Sequence, residues 1–492
     1  MAQLALTNII NISIATPQPG IGAYNTSNLA IISRDTVNLT TFGSAGYKIY
    51  TSPAQVGTDF GTGSNTYAMA NSVFSQQPNI LLGGGYLVII PFLATAQVAQ
   101  QTVTIPLSTL GLPAASGSFD FTFGGHSTAA LAYNATASAL QTAIQATTGM
   151  TAFTVTNAVY QSNGALASFQ INFVGTSGAQ TLGTITSDTL VDASSTAITP
   201  TVATTIIGST SETLDQAILR SSTLVQYFGV MATEICTQPI LLLAASVIQT
   251  LNKLLFDVTF TASDLLAGGR CVAIQQANFT QTRCLFYDDV LADSLTFMAA
   301  YAGLGLSTVF TGSNTTQTMH LKTLSGISPD PNITQTILTN AISAGADTYP
   351  SLQGVSKVFC SGANDFFDNQ YNLQWFAGAL QVAGFNYLAT TNTKVPQTEI
   401  GMDGLKGAYR AVCEQAVANQ FLAPGSWTSA TMFGNVASLV KNVLQRGYYI
   451  YSQPISLQAQ ANRVARQAPL IQMAIKYAGA IQSTSVIVFV NQ

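Results

Sequence analysis

The sequence predicts an α/β fold, α+β overall, interrupted by a small inserted α+β module rich in strands. Three observations carry this reading. Residues 207–395 alternate strand-like apolar runs with helix-like ones, the rhythm of a sheet buried under helices. Residues 101–206 carry short alternating strands around one helix, with no charged residue between Asp120 and Asp188. Both ends of the chain carry apolar residues at period two, the pattern of strands with one apolar face.

Near the N-terminus, Ile10, Ile12 and Ile14 alternate with Asn11 and Ser13 before Pro17, Pro19 and Gly20 end the strand. Residues 1–24 thus form an arm whose strand either pairs inside its own chain, which pattern alone favours, or adds to a neighbour's sheet. Leu29–Ile32 and Tyr86–Phe92 read as further strands. Gly83, Gly84 and Gly85 precede the second and suggest a tight turn or close backbone approach. No lysine or helix start follows them, so a phosphate cradle is discarded.

In the module, Phe119, Phe121 and Phe123 alternate as a strand. Asn134 is placed to cap a helix over 135–146, which Gly149 stops. Strands follow from Phe153, over Phe169–Phe173 and near Leu182, and the Thr/Ala-rich stretch Ala193–Thr205 reads as an exit linker. Beyond it, helices are expected over Thr213–Thr223, Gln238–Asn252, Leu291–Gly303 and Leu373–Ala383. Strands are expected over Leu224–Met231, Leu254–Thr261, Arg283–Tyr287 and Val355–Cys360. Near the C-terminus, Leu457, Ala461, Val464 and Ala468 fall on one stripe of a helix over 456–468, which Pro469 stops. A strand over Ile471–Tyr477 and a second over Ser483–Val490 close the sequence. A strand as apolar as Val486–Val490 is an aggregation hazard unless paired.

Only 7% of the 492 residues are charged, against roughly 25% in an average soluble protein. So little charge suits either a neutral secreted β-rich protein or a subunit whose faces neighbours cover. From Gly404 onward, seven basic residues face one acid, a net of +6; the preceding part has nine basic and nineteen acidic residues, a net of −10. No Lys/Arg run is interleaved with aromatics, so nucleic-acid binding is not expected. The greasiest run, Pro239–Ile248, is too short to span a bilayer, so no membrane insertion is expected. No secretory leader is legible. Five cysteines without a CxxC pair read as buried thiols.

Chemistry is sparse. His126 and His320, the two histidines, lie in different modules without legible partners and read as incidental. Asp288, Asp289 and Asp293 form the densest carboxylate cluster, read as an acidic helix start in preference to a cation site. Asp365 and Asp368, around Phe366 and Phe367, read as a solvated loop. No catalytic, cofactor or metal residues are expected.

The run Asn462–Gln472, continuing through Ala478–Ile481 to the terminal Val/Ile strand, resembles the end of contractile tail sheath proteins of myophages. Ile9–Ile14 with its Pro/Gly exit, and Leu81–Phe92, are similar to the start of that family. Phe119–Gly125 and Thr128–Ala146 are similar to small decoration modules of phage structural proteins. The resemblance implies a sheath-type core from 25–100 plus 396–492, an α/β middle domain over 207–395 and an outer decoration domain over 101–206. It implies hexameric rings stacked around a tail tube, with baseplate and tail terminator proteins as further partners, in a virion tail assembled in the host cytoplasm. Terminal strands would be exchanged between subunits. Here these are Ile10, Ile12 and Ile14 at one end and Val486, Ile487, Val488, Phe489 and Val490 at the other. Lys441, Arg446, Arg463 and Arg466 would face the tube or a neighbouring subunit. Rival readings are another self-assembling shell or injection-system subunit, and a secreted α/β protein or adhesin.

Overall fold

The computed structural model describes residues 25–35, 42, 46–93, 96, 98–176, 178–208 and 210–486. The chain opens with β1 (Leu29–Ser33), β2 (Lys48–Tyr50), α1 (Pro53–Phe60), α2 (Asn65–Phe74) and β3 (Leu87–Pro91). Between α2 and β3, a short turn over Ile80–Gly83 ends on Gly84 in the left-handed region (φ 70). A side-chain carbon on Gly85 would lie 2.5 Å from the Ser27 carbonyl oxygen. The three glycines therefore serve a tight turn and a close backbone approach.

The next stretch holds β4 (Gln100–Thr104), β5 (Ala114–Ser116), β6 (Ser118–Phe123), β7 (His126–Ser127), β8 (Leu131–Ala132), α3 (Ala137–Gln145), β9 (Thr154–Tyr160), β10 (Leu166–Asn172), β11 (Thr184–Thr186), β12 (Val191–Asp192) and β13 (Thr201–Ile206). These strands form small sheets around their own core, in which Phe119, Phe121, Phe153, Phe169 and Phe173 pack on Leu140 and Ile144 of α3. Two expectations are corrected. The helix cap is Thr136, whose hydroxyl accepts from the Ala139 amide, not Asn134. The stretch read as an exit linker contains β13, whose β-branched residues pair antiparallel with β4. The points where the chain leaves β3 and returns are clasped together. The Glu212 amide donates to the Leu93 carbonyl (2.8 Å), and the Arg220 guanidinium bridges Glu212 (2.7 Å) and the Pro91 carbonyl (2.9 Å).

Strand–helix alternation then resumes with α4 (Leu214–Leu224), β14 (Gly229–Ala232), α5 (Gln238–Thr250), β15 (Leu254–Thr259), α6 (Arg270–Gln276), β16 (Thr282–Phe286), α7 (Leu291–Gly305), α8 (Gln335–Ala344) and β17 (Ala346–Asp347). One seven-stranded sheet runs β17-β16-β15-β14-β1-β3-β2. All its pairs are parallel except β2–β3. Parallel strands need crossovers, which cover both faces, so the strands read as unbroken apolar runs such as LAIIS and LVIIP. One face packs Met69 and Val73 of α2 against Phe297, Met298 and Tyr301 of α7. The other packs Ile218 of α4, Ile248 of α5, Ile274 of α6 and Ala341 of α8. Residues 25–100 thus share a sheet with 229–347, whereas sequence reasoning grouped them with 396–492.

A buried ion pair joins the two strands at the sheet's end. Arg283 of β16 faces Asp347 of β17 at 3.4 Å, and the Tyr301 hydroxyl donates to the same carboxylate at 2.6 Å. Arg283 also donates to the Asp365 carbonyl (2.6 Å) and the Asn364 carbonyl (3.2 Å), so the following loop is fastened under the sheet. Buried charges need this full set of partners. The strand expected over Val355–Cys360 shrinks to a hairpin of β18 (Ser351–Leu352) and β19 (Val355–Ser356). Beyond it, the Val358 amide goes to the Lys322 carbonyl instead of a ladder. All five cysteines are buried.

Helices α2 and α7 approach very closely. A side-chain carbon on Gly303 would sit 2.8 Å from Val73 Cα and 2.9 Å from its carbonyl oxygen, both backbone atoms that cannot step aside. Gly303→Ala is expected to cost about 1–3 kcal/mol, the range for overpacked cores. Gly407→Ala, on a helix where the added carbon meets nothing, is expected to stabilise by up to about 1 kcal/mol. Denaturant unfolding of both variants checks the opposite signs; equal midpoints would contradict the packing.

Candidate assembly interface

The C-terminal region begins with α9 (Phe367–Thr390) and α10 (Glu399–Ala418), which pair side by side. The segment read as a solvated loop is the start of α9. Phe367 is buried against the sheet, and the Asp365 carboxylate accepts from the Phe366 amide (2.8 Å), Asn369 (2.7 Å) and Gln370 (2.6 Å). The helix is longer at both ends than its apolar stripe suggested, because its first turns bury Phe367 and Tyr371 in the α/β core.

This helix ties two bodies together. Trp375 stacks on Phe310 of the α/β body at 4.4 Å and 7°. The Gln415 amide of α10 donates to the carbonyls of Phe310 (2.9 Å) and Gly312 (2.8 Å). The Asn314 amide donates to the Ala418 carbonyl at the end of α10 (3.0 Å). Such contacts hold whatever α9 and α10 carry in a fixed place relative to the sheet.

What they carry is a ribbon of two strands. α11 (Val436–Arg446) ends on Gly447 in the left-handed region (φ 82), and the chain turns into β20 (Tyr448–Ser452). After α12 (Gln460–Val464), β21 (Ile471–Ile475) returns antiparallel, pairing Tyr448 with Ile475 and Ser452 with Ile471. One ribbon face, with Tyr448 and Ile475, packs on Phe376, Cys413 and Phe421. The other, with Tyr449 and Ala474, lies under Leu439 and Val443 of α11. The sequence's alternation hid this second buried face, because Ala474 stands among Gln472 and Lys476. Among the described residues no strand pairs with the outer edges of Tyr448–Ser452 and Ile471–Ile475, although just past β21 Tyr477 bridges antiparallel to Leu422. Around it, Val436, Val440 and Leu444 form an exposed stripe on α11, at i, i+4 and i+8. Leu470 and Ile481 are 75% and 95% exposed.

The helix expected over 456–468 is corrected to a single turn at Ile455–Leu457 and the five residues of α12. Its apolar stripe has nothing to pack on: Leu457 and Val464 are exposed, and α12 has no side-chain cap. A short uncapped helix without a buried face cannot extend. Lys441 and Arg446 lie on α11, Arg446 in the last turn where a cation suits the helix dipole. Arg463 lies on α12 and Arg466 just beyond it. All four are exposed and form no ion pair among the described residues. Val486 is exposed and outside any strand, as are residues 483–485, where a strand was expected. Ile10, Ile12, Ile14, Ile487, Val488, Phe489 and Val490 lie outside the described residues.

Asp293 sits in the first turn of α7, where the helix dipole favours a carboxylate. Among the described residues, no group of three or more His, Cys, Asp or Glu side chains is arranged to hold a metal ion. No helix among them is long and apolar enough to cross a membrane. Sequence reasoning missed Trp375, Gln415 and Asn419, which fasten the ribbon's support to the body. Only the rarity of tryptophan, two in the chain, marked any of them.

Residues 367–490 match the family described as E217 tail sheath protein gp31-like, C-terminal domain. The match begins on the first residue of α9. No curated protein matches the chain. Along 98% of both chains, the fold is similar to a chain in the cryo-EM structure of the six-fold symmetrised anti-feeding prophage baseplate, at 8% identity and a TM-score of 0.49. That likeness is too remote to bear on function.

The junction at α9 generates a pH prediction. Burial pushes the Asp368 carboxyl up to about 6, although the Arg283 guanidinium pulls the other way. The folded chain then holds this proton more tightly than the unfolded chain, whose aspartates titrate near ~3.9. By linkage, this contribution to stability is complete below about pH 4 and is lost as the pH rises through 6. Asp368→Asn is therefore expected to shrink the stability gained between pH 7 and pH 5, measured by denaturant unfolding. An unaltered pH dependence would contradict the buried carboxyl.

Proposed function

We propose that this chain, whose residues 367–490 match a tail sheath C-terminal domain, is a structural subunit that polymerises as hexameric rings around a tail tube and contracts to drive the tube through a host envelope. The observation that carries the reading is the match of that domain, together with the ribbon it contains: two strands fixed rigidly to a large body, with no strand paired to either outer edge among the described residues. An open edge is a template for a strand from another chain. Ile10–Ile14 of one neighbour and Val486–Val490 of another have the period-two or all-apolar character such a strand needs. Completed this way, the ribbon becomes a four-stranded sheet whose inter-subunit links are main-chain hydrogen bonds. Those links survive when rings rotate and slide, because they lie within one sheet and not across an interface.

The remaining surface supports the same reading. The exposed stripe on α11 and the unpaired Lys441, Arg446, Arg463 and Arg466 are available to a tube or to an adjacent subunit. A chain with 7% charged residues has little self-repulsion to oppose dense packing. Residues 101–206 have their own core and leave the body through one clasp at Glu212, which suits a module projecting outward as decoration. The role is mechanical and not catalytic. The assembled chain would sit in a virion tail with tube, baseplate and terminator proteins as neighbours.

Electron microscopy of the purified full-length chain, alone and with a tube protein, tests the proposal. Hollow tubes or stacked rings with sixfold symmetry are expected. Deletion of Met1–Thr16 or of Ser485–Gln492 is expected to leave a folded subunit, by circular dichroism and thermal melting, that forms neither. Normal tubes from either truncation would overturn strand exchange, and a monomer that never polymerises on a tube would overturn the sheath reading.

A further inference from the structure

Between Ala478 and Val486 the chain carries neither helix nor strand, and every residue there is exposed except Gln482. The segment leaves β21 along a fixed path. Tyr477 stacks on Phe421 at 5.1 Å, and the Ala478 amide donates to the Phe421 carbonyl at 2.9 Å. Gln482 then reaches the α/β body, where its side-chain amide donates to the Thr318 hydroxyl at 3.4 Å.

Beside Thr318 stands His320, buried with its ring edge-on to Phe359 at 4.9 Å. Its Nδ1 accepts from the Cys360 amide at 3.1 Å. A ring that accepts at Nδ1 carries its proton on Nε2, and burial favours that neutral form. The Nε2–H is thus a donor, and the ring lies beside the Gln482 backbone. Gln482 is therefore held on the body through its side chain by Thr318, with the buried His320 beside it. No other residue of the segment is even half-buried.

The geometry points to Gln482 as a peg that seats the C-terminal segment on its own chain's body and fixes where the terminal residues depart toward a neighbour. Thr318 and His320 are the socket. A seated segment has lost conformational freedom before it meets a partner, so less ordering remains to oppose association. The contact itself stands independently of the sheath reading; only its consequence for assembly rests on that reading.

The test is limited proteolysis of the unassembled full-length subunit with a broad-specificity protease, with cleavage between Ala478 and Val486 timed by mass spectrometry. Gln482→Ala and Thr318→Ala are each expected to speed cleavage there roughly fivefold, the factor for losing an ordinary hydrogen bond. Thr484→Ala, on an exposed position, is expected to leave the rate alone. Unfolding midpoints of Gln482→Ala and Thr484→Ala should match the parent, since the segment contributes nothing to a core; Thr318→Ala also removes the acceptor of the His320 amide. Equal cleavage rates in parent, Gln482→Ala and Thr318→Ala would overturn the peg. A second readout is polymer yield, expected to fall several-fold in Gln482→Ala. Faster cleavage in a chain that never polymerises would uphold the peg and sink the sheath reading. Unchanged cleavage with normal tubes would do the reverse.

Discussion

A two-stranded ribbon in water is marginal, because it buries too little apolar surface and leaves half its backbone groups without partners. The β20–β21 ribbon persists here because both faces are covered, by α11 on one side and by the Phe376–Cys413–Phe421 cluster on the other. Its edges are another matter: among the described residues no strand pairs with them along β20 and β21, and only Tyr477, just beyond β21, bridges to Leu422. Packing thus makes the ribbon stable enough to exist while leaving its hydrogen-bonding capacity unspent.

The usefulness of such a ribbon depends on what it is attached to. A force carried through strand pairing must reach the body of the subunit, and α9 supplies the path. Its first turns are buried with the seven-stranded sheet, its middle stacks Trp375 on Phe310, and its later turns run beside α10. The Gln415 and Asn419 amides, which both donate to the Phe310 carbonyl, add polar latches at the same junction. At the far end, the Arg283–Asp347 pair and its carbonyl partners fasten the loop from which α9 starts. A rigid support and an open edge are complementary: a flexible support would let the ribbon find a partner on its own chain.

The sheet was legible in the sequence because its physics is local. β1 and β3 are buried on both faces and so appear as apolar runs, LAII and LVII, and β15 shows the same character interrupted only by Asp257. Misreadings cluster where tertiary partners decide. The stripe Leu457–Ala461–Val464 has helical spacing, but no surface receives it, so only one short helix forms. The run Ala193–Thr205 looked like a linker because threonine serves both loops and strands, and β4 supplied the partner that made its second part a strand. Asp365 and Asp368 looked solvated because two carboxylates usually are; Arg283 holds the Asp365 main-chain carbonyl, and the start of α9 leaves both residues half-buried. For the candidate interface, the expected terminal strands rest on sequence patterning alone, period two at Ile10–Ile14 and all apolar at Val486–Val490. The ribbon edges they would meet were not legible, since an unpaired edge has no sequence signature of its own.

The most direct measurement is hydrogen–deuterium exchange at the amides of Tyr448–Ser452 and Ile471–Ile475, in the isolated subunit and in the polymer. In the subunit, amides not used in β20–β21 pairing should exchange freely while their neighbours are protected. On assembly those free amides should become protected together, as strands from two other copies pair with both edges. A polymer that forms while the same amides exchange as fast as in the isolated subunit would contradict the account.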